Sequence, residues 1–272
     1  MKILVCDTSG TSRSCALNVD GQILASSFLS AGTTHSQTFM PMLDELMKRA
    51  QCDYYELDAY ACTVGPGSFT GIRIGVSTTK AMAYATKKPA IPVSSLHALA
   101  FPLLVQENVL IAPMIDARNH RAFASAYFNG KQVIKEQAQD ISEFINICDR
   151  WRDENAPGAH IITCGNAGHK YNDPDDYEQD RNDVINSIMH TQIDPAAVAF
   201  IAFEKIVTAL APTDDDLFET MMALSAPDDH QEHHKEIITG TDPLSVYDPA
   251  ALMPTYLART AAERNKEKEF DK

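Results

Sequence analysis

The sequence predicts an α/β protein built from two related halves, and three observations carry this prediction. An apolar strand ending in an aspartate occurs at residues 2–7 and again at 109–116. In both copies a second strand and a hairpin dipeptide follow at the same spacing from that aspartate. Both copies then continue as helix, strand and helix. The 272 residues suffice for one large domain or two modest ones.

The elements of the first half follow from periodicity and turn chemistry. Asp20-Gly21, and its counterpart Asn129-Gly130, predict type I′ hairpin turns because these residues tolerate positive φ. Apolar residues at steps of three or four, after a capping box from Thr34 to Gln37, predict an amphipathic helix over 34–50. The predicted elements are strands 2–7, 14–19 and 22–28, helix 34–50, strand 58–64, helix 71–86 and strand 90–93.

The second half repeats this order. Its predicted elements are strands 109–115, 122–128 and 131–135, helix 141–151, strand 160–164 and helix 195–210. Three meandering strands followed by helix, strand and helix, occurring twice, are typical of the two-lobed actin-like, Hsp70-like ATPase (ASKHA) fold with duplicated βββαβα halves. We expect an N-terminal lobe at 1–100 and a C-terminal lobe at 101–257. The latter includes an acidic excursion at about 213–248, and a charged tail follows at 258–272.

Composition excludes several classes of protein. A net charge of −14 repels phosphate backbones and disfavours unaided binding to nucleic acid or to an anionic membrane. Six cysteines without a CxxC pair indicate free thiols in a reducing compartment. The apolar run at the N-terminus is too short for a signal peptide, and none approaches the length of a membrane span. We therefore expect a cytoplasmic protein with no membrane association.

Two aspartates at strand ends are candidates for nucleotide binding. Asp7, Thr8 and Ser9 begin a tight turn where amides and hydroxyls could approach a phosphate and the carboxylate could orient a metal-bound water. Asp116 holds the equivalent position in the second half. The same residues are equally typical of Asx turns that accept nearby amides. Both interpretations stay open, and a kinase or ATPase acting through Asp7 and Asp116 is the alternative function.

A glycine-rich segment at 65–73 separates a buried strand from a helix. It lacks the Gly-Lys-Ser/Thr of a P-loop, and its glycines do not fit the dinucleotide spacing. It is either a rigid strand-to-helix turn or a contact for phosphate or a partner. Phe69 is better suited to docking into a neighbour than to holding phosphate.

Histidines give no convincing metal site. His35 would need a second ligand at position 39, which is Phe39. His230, His233 and His234 lie in the acidic segment, where adventitious metal binding is a better interpretation than a catalytic site. No arrangement of residues predicts a serine or cysteine nucleophile.

The helix at 34–50 is a candidate partner surface. Its apolar residues form a strip broader than one sheet contact needs, and methionines adapt to more than one partner. The alternative is that the whole strip is internal core. The strip consists of Phe39, Met40, Met42, Leu43, Leu46 and Met47.

Four segments together resemble the TsaB family, also called YeaZ. They are residues 1–9, the helix entry at 34–42, the glycine segment at 64–75, and Ile115-Asp116-Ala117-Arg118. The resemblance implies a subunit of the bacterial machinery that makes threonylcarbamoyladenosine in tRNA. Such a chain lacks the metal-binding histidine pair of its catalytic paralogue, TsaD, which modifies N6 of adenosine 37.

The resemblance implies a non-catalytic scaffold and dimerisation subunit. Its expected partners are a TsaD-like paralogue and a TsaE-like ATPase, with a homodimer when alone and tRNA contacted only through the complex. No cofactor is assigned beyond weak ATP or ADP binding at the complex. Phe69 and Arg73 join the helix at 34–50 in the expected partner interface.

Overall fold

The computed structural model describes residues 1–30, 35–168, 184–187, 191–211, 220, 244 and 247–256. The strands are β1 Lys2–Asp7, β2 Arg13–Val19, β3 Gln22–Leu29, β4 Ala59–Gly65, β5 Ala90–Ser94, β6 Val109–Asp116, β7 Arg121–Phe128, β8 Lys131–Asp140, β9 His160–Cys164 and β10 Val184–Asn186. The α-helices are α1 His35–Arg49, α2 Phe69–Thr86, α3 Ser95–Ala100, α4 Ile141–Asn155 and α5 Pro195–Leu210. Short 3₁₀ turns occupy Tyr54–Glu56, Phe101–Leu103 and Pro249–Ala251.

The two halves share one sheet topology, which confirms the predicted duplication and the actin-like fold class. The first sheet has the order β3-β2-β1-β4-β5, and the second has β8-β7-β6-β9-β10 when read in the same direction. The first three strands of each sheet form an antiparallel meander. The central strand pairs in parallel with the strand that follows the helix.

Both hairpin predictions are confirmed. Asp20 and Gly21 have φ of 51° and 79°, and Asn129 and Gly130 have φ of 48° and 74°. Positive φ at both central residues is the requirement of a type I′ turn, whose twist matches that of the flanking strands. Turn chemistry therefore determines where each meander reverses.

The core of the first unit lies between its sheet and two helices. Leu4 and Cys6 of β1 pack with α1 and α2, and both are fully buried. Ile3 and Val5 alternate with them and are also fully buried, while α5 packs against β1 and β2. Because successive strand residues point to opposite sides, α5 covers the second face of this sheet.

The two compact units differ from the expected lobe boundary in one respect. The described residues of 192–254 group with those of 1–102, and the described residues of 103–191 form the other unit together with residues 255 and 256. The helix α5 was expected in the C-terminal lobe. Its nearly all-round apolar surface instead packs on the first sheet, where Val198, Ala202 and Ile206 are fully buried.

The second unit has its own core between its sheet and α4. Phe144, Ile145 and Cys148 of α4 are fully buried and pack with strand residues such as Met114 and Ala124. Asp140 caps α4 by accepting the amides of Ser142 and Glu143. In the described part of the chain, no helix combines the length and apolar character that crossing a membrane requires.

Candidate functional site

The end of β1 forms a closed polar cluster. Asp7 is 1% exposed, and its Oδ1 accepts the Ser9 amide at 3.0 Å and the Ser9 hydroxyl at 2.7 Å. The Thr63 hydroxyl, from the neighbouring strand β4, donates to the same oxygen at 2.6 Å. The first of these bonds is the Asx turn that the sequence left open as an alternative. A charged carboxylate can be buried here because three donors converge on it.

The glycine segment packs directly on this turn. The amide of Ser68 donates to the Ser9 carbonyl at 2.7 Å, and the Thr8 hydroxyl donates to the Gly71 carbonyl at 2.7 Å. Cβ atoms added at Gly67 and Gly71 would lie far inside contact distance of the Ser9 and Thr8 carbonyl oxygens. Only glycine allows the two backbones to approach this closely.

The Gly71 amide, in the first turn of α2, is bonded within the turn itself. Ser68 caps the helix by accepting the Gly71 amide at 3.2 Å, and its carbonyl accepts the Ile72 amide at 2.8 Å. The segment therefore has the geometry of a rigid strand-to-helix turn. Sequence reasoning missed its contact with Thr8. The spacing of Gly67, Gly71 and Gly75 by four residues was the available signal, because it places small residues along one side of the helix start.

Asp116 repeats the Asx turn in the second unit. Its Oδ1 accepts the Arg118 amide at 2.8 Å, and its own amide donates to the Asn166 side-chain oxygen at 2.9 Å. The three residues Arg118, Asn119 and His120 then all adopt positive φ and are exposed. Unlike Asp7, Asp116 is half-buried. Its proposed role toward nucleotide stays a prediction.

The exposed residues of the glycine segment include an aromatic and cationic pair, Phe69 and Arg73. Phe69 is 39% exposed at the first position of α2. The Arg73 guanidinium carbon lies 3.7 Å from the centroid of its ring, one helical turn on. This cation–π contact holds both side chains in place on the outer side of the helix.

The apolar strip of α1 lies almost wholly in the core. Exposure is 9% or less for five of its six side chains, whereas Met40 is 41% exposed. This is the internal-core arrangement that the sequence left open, and it corrects the expectation that the strip faces a partner. The physical reason is that α1 covers one face of the first sheet, whose apolar strands need the full width of the strip. The buried members are Phe39, Met42, Leu43, Leu46 and Met47.

Two expectations about histidines fall outside what can be described. His230, His233 and His234, like most of the acidic segment and the charged tail, lie outside the described residues, and so does the His35 side chain. Among the described ranges, no group of three His, Cys, Asp or Glu side chains could hold a metal ion.

Burial determines the pKa shifts of the cysteines and of His97. All six cysteines are free thiols, and five are buried. Burial raises the pKa of Cys15 and Cys62 to about 12 and that of Cys6 well above its usual range. Burial, with the nearby Lys205 ammonium, lowers the pKa of His97 to about 4.

Comparison with known proteins relates the chain to tRNA modification. The family model for TsaD, described as tRNA N6-adenosine threonylcarbamoyltransferase, matches residues 29–222. The tRNA threonylcarbamoyladenosine biosynthesis protein TsaB of Escherichia coli is 35% identical over 169 residues, which cover 56% of this chain and 73% of that protein.

A second relative and a crystal structure agree with this match. The TsaB protein of Haemophilus influenzae is 35% identical over 157 residues, or 56% of this chain, and the chain spans 61% of the length of that relative. A Pseudomonas aeruginosa structure described as similar to the peptidase YeaZ superposes with a TM-score of 0.61. It is 24% identical and covers 75% of this chain and 92% of its own. At that identity the likeness concerns the fold.

Proposed function

This chain belongs to the TsaB family of tRNA threonylcarbamoyladenosine biosynthesis proteins, and from this premise we propose that it is a non-catalytic scaffold subunit of the complex that makes that nucleoside in tRNA. A TsaD-type paralogue carries out the transfer, and a TsaE-like ATPase joins the cytoplasmic complex. The chain contacts tRNA only through its partners, as its net charge of −14 favours.

The closed turn at Asp7 carries the non-catalytic part of the proposal. In the kinase or ATPase alternative, Asp7, Thr8 and Ser9 would bind a phosphate or a hydrated metal. Their exposure is 1%, 1% and 2%, and both hydroxyls donate within the protein. A ligand would have to displace the glycine segment and break these bonds. Any weak ATP or ADP binding is therefore expected at the complex rather than at this turn.

Phe69 and Arg73 support a partner surface at the start of α2. Aromatic residues and arginines are enriched among the hot-spot residues of protein–protein interfaces, and here the two side chains fix each other in place. Both residues stand on a helix whose first turn is fixed by the Ser68 cap. Met40 is the one side chain of the predicted α1 strip with substantial exposure, at 41%. We assign these three residues to the surface that binds the TsaD-type transferase.

Capture of the transferase tests this surface. The double variant Phe69→Asp/Arg73→Glu should bind the TsaD-type transferase from the same genome about 30-fold more weakly, because hot-spot losses begin at about 2 kcal/mol. Tyr84→Asp is the matched control on the same helix, since Tyr84 is 78% exposed and lies at the other end. Both proteins should keep the wild-type melting temperature. Undiminished capture by the double variant would exclude this surface.

Activity of the purified chain tests the non-catalytic role. Threonylcarbamoyladenosine in digested tRNA should appear only when the transferase and its other partners are added. The chain alone should not turn over ATP. Turnover that needs a divalent metal and disappears in Asp7→Asn would instead establish the kinase or ATPase alternative.

A further inference from the structure

We propose that Cys6 and Cys15 are a redox-sensitive pair, which a small peroxide joins in a disulfide between two neighbouring strands of the first sheet. The inference concerns the chain alone and does not depend on the proposed function. It starts from the strand register. Cys6 of β1 lies directly opposite Cys15 of β2, and on its other side it lies opposite Cys62 of β4. All three side chains belong to the same buried cluster, with Cys6 in the middle.

The backbone hydrogen bonds show which kind of antiparallel pair Cys6 and Cys15 form. The Lys2 carbonyl accepts the amide of Asp58, the residue before β4, at 2.8 Å, so the backbone groups of Lys2 point towards β4. Alternate residues of a strand direct their backbone groups to the same neighbouring strand. Cys6 lies four residues after Lys2, so its backbone groups also point towards β4 and away from β2. Cys6 and Cys15 are therefore a pair without backbone hydrogen bonds to each other.

A pair of this kind has the geometry that a disulfide requires. Its Cα atoms lie about 4.5 Å apart, and its two side chains lie close together on one face of the sheet. A disulfide joins residues whose Cα atoms are about 4.4 to 6.8 Å apart. Cys6 and Cys15 are both fully buried, beside the directly opposed pair Leu4 and Leu17. Rotation of the two cysteine side chains is therefore enough to bring their sulfur atoms together.

Cys15 is a better partner for Cys6 than Cys62 is. Burial is the main cause of the raised pKa of the Cys6 thiol, and the nearby Cys15 thiol contributes more to it than the Cys62 thiol does. The stronger interaction indicates that the Cys6 sulfur lies nearer to Cys15. Cys15 is also accessible from the edge of the sheet, because it lies opposite the half-buried Ser27 of the edge strand β3.

The reaction transfers two electrons from the thiols to hydrogen peroxide. The Cys15 sulfur, next to the edge strand, attacks one oxygen of the peroxide, the O–O bond breaks, and a sulfenic acid and water form. The Cys6 sulfur then attacks the sulfenic sulfur, so that the S–S bond forms and the S–O bond breaks to release a second water. Burial raises the pKa of both thiols and makes the reaction slow. Hydrogen peroxide is little larger than water, so it reaches this core more easily than a thiol reagent does.

The disulfide closes the turn between β1 and β2 into a covalent loop. Residues 7–14 lie inside this loop, and they include the Asp7 turn and the Ser9 carbonyl that accepts the Ser68 amide of the glycine segment. A cross-link of this kind restricts the unfolded chain and so stabilises the folded one. Oxidation should therefore raise the melting temperature, and a reducing agent should restore the original value.

Peptide mapping of the oxidised full chain tests the pair. A Cys52→Ser background removes the one partly exposed thiol. The native protein is treated with hydrogen peroxide, unfolded in excess alkylating reagent and digested with trypsin, which separates the two cysteines by cleaving after Arg13. Mass spectrometry should find peptides 3–13 and 14–48 joined, and dithiothreitol should release them. The same treatment of the urea-unfolded chain shows which peroxide concentration suffices for oxidation.

Matched variants in this background distinguish the possible pairs. Cys62→Ala should keep both the link and the rise in melting temperature, whereas Cys15→Ala should lose both. A link from Cys6 to Cys62 in the parent chain would overturn the proposal. So would native thiols that stay unlinked at a peroxide concentration that oxidises the unfolded chain. A linked chain whose melting temperature does not rise would contradict the closing of the turn.

Discussion

The contact of α2 with the β1 turn makes a sharp prediction about glycine. A Cβ at Gly71 would collide with the Thr8 carbonyl oxygen, a backbone atom that cannot rotate away. Overpacking of this kind costs about 1 to 3 kcal/mol, and loss of the bond from the Thr8 hydroxyl costs about 1 kcal/mol. The higher helix propensity of alanine relative to glycine stabilises the folded state by about 1 kcal/mol. Gly71→Ala should therefore lower the free energy of unfolding by about 1 to 3 kcal/mol.

Gly75 provides a contrast one turn later. Its Cβ would lie 2.5 Å from the Thr8 hydroxyl oxygen, which belongs to a side chain that can turn away. Loss of the hydrogen bond and gain in propensity then nearly cancel, so Gly75→Ala should cost at most about 1 kcal/mol. Thr8→Ala removes the colliding atom and should rescue Gly75→Ala, but it leaves the backbone collision of Gly71→Ala unchanged.

Urea denaturation of the single and double variants measures these differences. Gly10→Ala is the control, because the nearest atoms to its added Cβ lie 3.8 and 3.9 Å away, in ordinary contact. It should change the free energy of unfolding by no more than about 0.5 kcal/mol. If Gly71→Ala is as stable as the wild type, or if Thr8→Ala restores its stability, the close approach of the two backbones is not real.

Two further predictions concern titratable groups. Because the pKa of His97 is lowered to about 4 in the folded state, the unfolded chain alone takes up this proton between about pH 6.5 and pH 4. The free energy of unfolding should fall across that window by no more than about 3.4 kcal/mol, which is 2.5 pKa units at about 1.36 kcal/mol per unit. Urea denaturation should show a shallower fall in His97→Gln, and an identical fall would contradict this origin. Of the six thiols, five are buried and only Cys52 is partly exposed, so a thiol reagent should label one cysteine per native chain. The labelling should be slow because partial burial raises the pKa of the Cys52 thiol. Rapid labelling of several thiols without denaturant would contradict this prediction, because it would show that a buried core opens in the native chain.

Short sequence patterns predicted most strands and helices well, because interactions between residues close in the sequence determine these elements. Turn dipeptides and alternating apolar residues determine hairpins over a few residues, and α5 begins at Pro195 and ends at Leu210 as predicted. The strand β8 runs to Asp140, beyond the predicted end at 135. Its half-buried polar residues hide the alternation on which strand prediction depends, so β7 pairing rather than sequence pattern determines its length.

The side on which a helix is buried could not be predicted in the same way. The methionines and leucines of α1 have the same pattern whether they face a sheet or a partner. The outcome depends on how much apolar surface the strands present, as when Leu4 and Leu17 meet Leu43 in one core. The assignment of α5 to the first unit has a similar origin, since a helix that is apolar on most sides carries little information about which sheet it covers.

The closed turn at Asp7 shows how one tripeptide can serve binding or structure. Asp7-Thr8-Ser9 offers the same donors and carboxylate in both cases, so these residues cannot distinguish the two. The feature that distinguishes the two roles lies about sixty residues further along the chain. Glycines at 67, 71 and 75 have no side chain, so the helix can pack directly on the turn. Once the backbones touch, the Ser9 and Thr63 hydroxyls satisfy Asp7, and a phosphate would have to replace bonds already made. A loop that only binds ligand has no need for this contact. Glycine spacing on the following helix is therefore the feature that favours a structural role for a strand-end aspartate in a fold of this kind.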